Sequence, residues 1–104
     1  MNSNRITGLL GLCKKAGKLA DGEFQVTEAL QERRARLVLV ASDSSDNTHK
    51  RFHDKAAHYG VPVFDLQQEK SELGRALGQG ERSVLAVCDE GLAGLIRQAI
   101  QQNS

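Results

Sequence analysis

His49 and His53 stand four residues apart, a spacing that places two imidazoles on one helix face and can hold a zinc ion. The metalloprotease pattern requires a glutamate directly after the first histidine, and Lys50 occupies that position. No third ligand is evident nearby, so the pair reads as a wet, basic helix face, and no metal site is expected. His58 stands alone and reads as structural. Gly74, Gly78 and Gly80 surround a turn but lack the Gly-Lys-Ser/Thr that completes a phosphate loop. Asp43 and Asp46 flank a serine-rich loop after an apolar run, where α/β sheets bind ligands. Acids in such loops usually cap helices. No nucleophile has a base beside it. Cys13 and Cys88 lie far apart among apolar neighbours and read as reduced core thiols. Neither catalysis nor a cofactor is expected.

The elements that would carry these residues follow from periodicity. Ile6, Leu9, Leu10 and Cys13 fall at i, i+3, i+4 and i+7, which predicts an amphipathic helix capped by Gly17. Gly8 and Gly11 would let that helix pack closely on a sheet. Residues 18–21 read as extended. Gly22 opens a second helix with Val26, Ala29 and Leu30 inward. Residues 37–41 and 83–88 are continuous apolar runs rich in β-branched residues, the mark of strands buried on both faces. Between them, Asn47 is the expected N-cap of a third helix with Thr48, Phe52, Ala56 and Tyr59 on one face. Gly60 stops it, and Pro62 leads into a strand at 63–65. Residues 69–77 form a short helix with Leu73, Ala76 and Leu77 inward, followed by a turn at 78–81. Asp89 caps a last helix with Leu92, Leu95, Ile96, Ala99 and Ile100 inward, and the tail at 101–104 should fray. Helices alternating with buried strands predict an α/β fold, a sheet covered on both faces.

The chain has 104 residues, enough for one domain. Apolar residues make up 39% and charged residues 26%, which excludes a disordered chain. The start, Met-Asn-Ser-Asn-Arg, lacks the features of a signal peptide. No apolar run approaches the roughly 20 residues of a membrane span, so a cytoplasmic location is expected. Net charge is only +1, yet Arg5, Lys14, Lys15 and Lys18 share residues 1–18 with no acid. Further clusters are Arg33, Arg34 and Arg36, then Lys50, Arg51 and Lys55. Basic clusters on a near-neutral chain suit a defined anionic site.

Taken in order, these segments resemble a known family. They are Gly17-Lys-Leu19, then Gly22 with Glu-Phe-Gln-Val-Thr-Glu-Ala-Leu30, then Ala35-Arg-Leu-Val-Leu-Val-Ala-Ser-Asp43. Tyr59-Gly-Val-Pro-Val63, Glu72-Leu-Gly-Arg75 and Ser83-Val-Leu-Ala-Val87 continue the series. Together they resemble the kink-turn RNA-binding ribosomal-protein family (the L-seven-Ae/L-thirty-e group), and within it the bacterial YlxQ-like branch. The resemblance runs from about residue 5 to residue 100. It implies a three-layer α/β/α sandwich on a four-stranded mixed sheet. It also implies a grip on the bent backbone and tandem G·A pairs of a kink-turn, made by the start of the second helix and the loop before the last strand.

By that resemblance, Gly22, Phe24, Gln25 and Glu28 occupy the helix surface that meets RNA, with Lys18 just upstream. Residues 80–83 form the second contact loop, with Arg82 its one cation and Ser83 its end. Lys14 and Lys15 add electrostatic attraction. The resemblance is incomplete at the site. Well-known kink-turn binders carry Asn-Glu where this chain has Phe24-Gln25, Lys where it has Glu28, and basic residues where it has Ala20 and Asp21. An acid at Glu28 repels phosphate unless it accepts from a base amino group or pairs with a cation. Phe24 could stack on an unpaired base. The expected function is non-enzymatic binding of structured RNA in translation or on the ribosome, with no DNA or membrane partner. The alternative is a protein-interaction module that kept the fold and lost specific RNA recognition.

Overall fold

Residues 37–40 read Leu-Val-Leu-Val and residues 84–87 read Val-Leu-Ala-Val, and every one of them is buried. Side chains of a strand alternate between faces, so each run must be covered twice. The computed structural model, which describes residues 2–102, meets that demand with helices on both sides of one sheet. The elements are α1 (Asn2–Lys15), β1 (Leu19–Asp21), α2 (Glu23–Gln31), β2 (Leu37–Val40), α3 (Asp46–His58), β3 (Val63–Asp65), α4 (Lys70–Ala76), β4 (Val84–Val87) and α5 (Glu90–Gln101). The strand order is β1-β4-β2-β3. β4 runs antiparallel to both β1 and β2, and β3 runs parallel to β2. This is the four-stranded mixed sheet and three-layer sandwich expected.

The alternation divides the core in two. Leu37, Leu39, Leu85 and Val87 face α1, α4 and α5, meeting Leu10, Cys13, Leu73 and Ile96. Val38, Val40, Val84 and Ala86 face α2 and α3, meeting Val26, Leu30, Phe52 and Ala56. Shifting either central strand by one residue would exchange the two sets, so the register is strongly specified.

Four local expectations change. Ser45, not Asn47, caps α3: its hydroxyl accepts from the Thr48 amide at 3.1 Å. Both residues are good caps, and the chain leaves the extended region at Ser45. Leu95 is exposed, because the inward face of α5 centres on Ile96, flanked by Ala93 and Ala99 with Leu92 and Ile100, and Leu95 lies about 100° round the helix from Ile96. Ala76 is only half-buried. Gly8 and Gly11 do not meet the sheet. A Cβ on Gly11 would lie 3.7 Å from the Ala76 carbonyl of α4, and one on Gly8 would meet nothing within 4 Å. Both line an open groove of about 600 Å³ between α1 and α4. Of the tail, Gln101 closes α5, and Asn103 and Ser104 lie outside the described residues.

Candidate nucleic-acid interface

The chain turns sharply between α1 and β1. Gly17, at φ 71°, donates to the Lys14 carbonyl at 3.0 Å, and Lys18 donates to the Cys13 carbonyl at 2.9 Å. This pair of bonds is the Schellman closure of a helix. It sets Lys14, Lys15 and Lys18 around one corner. Lys15 and Lys18 are exposed and enter no ion pair among the described residues.

After three residues of β1 the chain turns again at Gly22, with φ 98° and ψ 164°. Side-chain-bearing residues are strained there. The Gly22 amide donates to the Val84 carbonyl at 3.0 Å, fastening the start of α2 to β4. Nothing lies within 4 Å of where a Cβ would stand. Backbone geometry therefore demands glycine, and the open space leaves the helix start accessible. Phe24 follows, 77% exposed, a large apolar side chain held out into solvent. Phe24 and Glu28 are both exposed and stand one helical turn apart; Glu28 has no ion-pair partner among the described residues.

Asp21 joins this corner to the loop before β4. Its carboxylate lies 3.6 Å from Lys14 Nζ and 3.3 Å from Arg82 Nε. Its amide donates to Gln25 Oε1 at 3.1 Å. Arg82 also donates to the carbonyls of Gly80 and Glu81 and to Gln79 Oε1. The loop's cation thus holds the loop's own shape. Ser83 donates to Glu23 Oε2 at 3.3 Å, and Glu23 also pairs with Arg51 of α3.

All the elements proposed from sequence therefore meet, but the residues divide. Lys14, Gln25, Arg82 and Ser83 are engaged within the protein, and Lys15, Lys18, Phe24 and Glu28 point outward. Sequence reasoning missed Glu23 and Asp21 as organisers of the corner. Their signal was present, an acid on either side of the glycine that opens α2. The other basic clusters are largely compensated. Arg34 pairs with Glu32, Lys50 with Asp54 and Arg51 with Glu23, while Arg33 covers the Tyr59 ring.

Cys13 is the core residue expected, whereas Cys88, also expected in the core, is only half-buried at the edge of the second cluster. Burial pushes the Cys13 thiol up to about 11, and burial also raises that of half-buried Cys88. One expectation is overturned: His49 and His53 do have a third ligating group nearby. Asp65, at the end of β3, brings one carboxylate oxygen to 3.1 Å from His49 Nδ1 and 2.9 Å from His53 Nε2. Burial works to raise the Asp65 carboxyl, but the two histidine contacts outweigh it and hold it below its ordinary range.

A model of the ribosomal protein L7Ae/L30e/S12e/Gadd45 family matches residues 4–96. The chain is 35% identical over 100 residues to the RNA-binding protein YlxQ of Enterococcus faecium, covering 96% of this chain and 95% of the relative. It is 41% identical over 85 residues to the RNA-binding protein YlxQ of Bacillus subtilis (strain 168), covering 82% and 84% of the two. A Bacillus halodurans structure titled as a protein with unknown function superimposes with a TM-score of 0.86 at 36% identity, over 92% of this chain and 96% of that one. The Giardia lamblia 15.5kD RNA binding protein shares the fold, with a TM-score of 0.75 at 19% identity over 97% and 86%.

Proposed function

This chain belongs to the ribosomal protein L7Ae/L30e/S12e/Gadd45 family, and from that membership we propose that it is a non-enzymatic RNA-binding protein of translation or the ribosome, acting in the cytoplasm. The observation that carries the proposal is the corner itself. Uncompensated Lys15 and Lys18 lie at the turn into β1, and that three-residue strand leads directly to a glycine-opened helix that presents an exposed Phe24. Free N–H groups at a helix start favour phosphate. An exposed aromatic gives a base a surface to stack on. Lysines that release counterions supply attraction. Among the described residues no helix is long and apolar enough to cross a membrane.

The kink-turn is the proposed target, read differently from the family's better-known members. Gln25 Oε1 is held by the Asp21 amide, so its amide –NH₂ is the group left to face a base. Glu28 can accept only from donors such as base amino groups. The test is a titration against a kink-turn RNA and a control whose tandem G·A pairs are replaced by Watson–Crick pairs. Tight binding to the first alone is expected, and equal affinity for both would refute kink-turn recognition. K15E/K18E should weaken binding at least ~10-fold at low salt and flatten the salt dependence by about two charges. Unchanged affinity would refute the placement of the site.

A second reading is favoured by Asp21. It pairs with both Lys14 and Arg82 and so draws charge away from the RNA surface proposed above, in keeping with a protein-interaction module that has lost its RNA site. Such a module keeps its partners from a nuclease-treated lysate, whereas an RNA-tethered protein releases them.

A further inference from the structure

His49 and His53 on α3 and Asp65 on β3 gather at the β3 border of the sheet, and β1, which follows the lysine corner, forms the opposite border. The two histidines project from successive turns of α3, and Asp65 closes β3 beneath them. One carboxylate oxygen and two imidazole nitrogens converge, with all three donor atoms within 4.8 Å of one another. From this geometry we infer that His49 Nδ1, His53 Nε2 and the Asp65 carboxylate form a binding site for a divalent transition metal ion, best suited to Zn²⁺.

The chemistry of the donors selects the metal. Two imidazoles and one carboxylate suit zinc, whereas magnesium and calcium take oxygen donors. The spacing is close to what zinc needs. Bonds of about 2.0–2.1 Å at a tetrahedral angle put neighbouring ligand atoms about 3.3 Å apart. The two nitrogen–oxygen separations are 3.1 and 2.9 Å, so these pairs need move only a few tenths of an ångström. The imidazoles can draw together because both are partly exposed, at 26% and 39%. The backbone beneath them is fixed: Ser45 caps α3, Phe52 and Ala56 anchor it in the core, and β3 is hydrogen-bonded to β2. Asp65 is 52% exposed, so water reaches the site and completes the coordination shell. Three protein ligands with a water-filled fourth position is an exchangeable arrangement rather than a closed structural one.

The opposing interpretation is that the histidines only donate hydrogen bonds to Asp65. Calorimetric titration of the untagged full chain with ZnCl₂ separates the two. The inference predicts one ion per chain with micromolar or tighter affinity and a raised melting temperature on saturation. H49A, H53A and D65N should each weaken binding at least ~10-fold, with C88A unchanged. Circular dichroism of each variant establishes that it is folded. For any variant that is not, Co²⁺ added to the unaltered chain gives the readout. Tetrahedral ligand-field absorption together with shifted His49 and His53 imidazole resonances supports the site. No heat with Zn²⁺ at 100-fold excess over the protein would overturn it. So would binding that survives H49A/H53A, or Co²⁺ spectra that leave both imidazoles unperturbed.

Discussion

Gly74 sits inside α4 with its face against the loop before β4, and replacing it with alanine tests whether that loop is held where the interface requires. A Cβ at Gly74 would stand 2.6 Å from the carbonyl carbon of Gly80, nearer still to its oxygen, and 3.1 Å from the Gln79 oxygen. All of these are backbone atoms, so no side chain can rotate away. The loop must retreat by about 1 Å, and overpacking of this kind costs about 1–3 kcal/mol. Retreat also strains the 2.8 Å bond from the Gln79 amide to the Gly74 carbonyl and the Arg82 bond to Gly80. Each such bond contributes about 1 kcal/mol. The better helix propensity of alanine returns at most about 1 kcal/mol. The net expectation is a loss of about 2–3 kcal/mol, seen as a urea midpoint lowered by about 1 M. Because Arg82 and Ser83 ride on the loop, RNA affinity should fall with it. Gly8→Ala is the matched control. It lies in α1 with nothing within 4 Å of the new methyl group, and should stabilise by up to about 1 kcal/mol. A Gly74→Ala midpoint equal to or above the unaltered chain would refute the packing argument.

Gly22→Ala forces a methyl-bearing residue to φ 98° and should cost about 1–3 kcal/mol in chemical denaturation, with loss of RNA affinity as the start of α2 shifts. Asp21→Asn removes an acid and frees Lys14, while Arg82 keeps its bonds within the loop, so binding measured from low to high salt should be tighter at low salt and steeper by about one charge. Cys13 supplies a pH prediction. Its native thiol is raised to about 11 from an ordinary 9.0, so its contribution is fully present below pH 9 and is lost as pH rises towards 11. The loss is about 2–3 kcal/mol at 1.36 kcal/mol per unit, and urea titrations of Cys13→Ala should lack it. Native alkylation at pH 8 should accordingly label half-buried Cys88 well before Cys13.

The fold was legible wherever one residue type decided one element. The apolar, β-branched runs read at 37–41 and 83–88 hold the doubly covered strands 37–40 and 84–87, and Gly17, Gly22, Gly60 and Asp89 mark turns and caps that the structure keeps. Ambiguity arose where neighbours compete for a role. Ser45 and Asn47 are both sound caps, and α5 offers six apolar residues from Leu92 to Ile100 for a face that fully buries only Ala93, Ile96 and Ala99. The interface was legible as a set of elements and not as a set of free groups. Arg82 looks like a loop's one available cation until its guanidinium is found satisfying Asp21 and three neighbours of its own loop. Asp65 was out of reach for a different reason. Its approach to His49 and His53 depends on how β3 lies under α3, and no local spacing encodes that.

The two outer strands share a form with a further effect. Each is three residues long, and each ends on an aspartate, Asp21 in β1 and Asp65 in β3. An unpaired strand edge is a template on which another chain can add a strand, and short edges bearing charge discourage this. At the β1 border Asp21 is ion-paired and only 14% exposed, so shortness is the main guard there, whereas at the β3 border the 52%-exposed Asp65 adds its charge. Borders of this kind discourage copies of the chain from joining sheet to sheet.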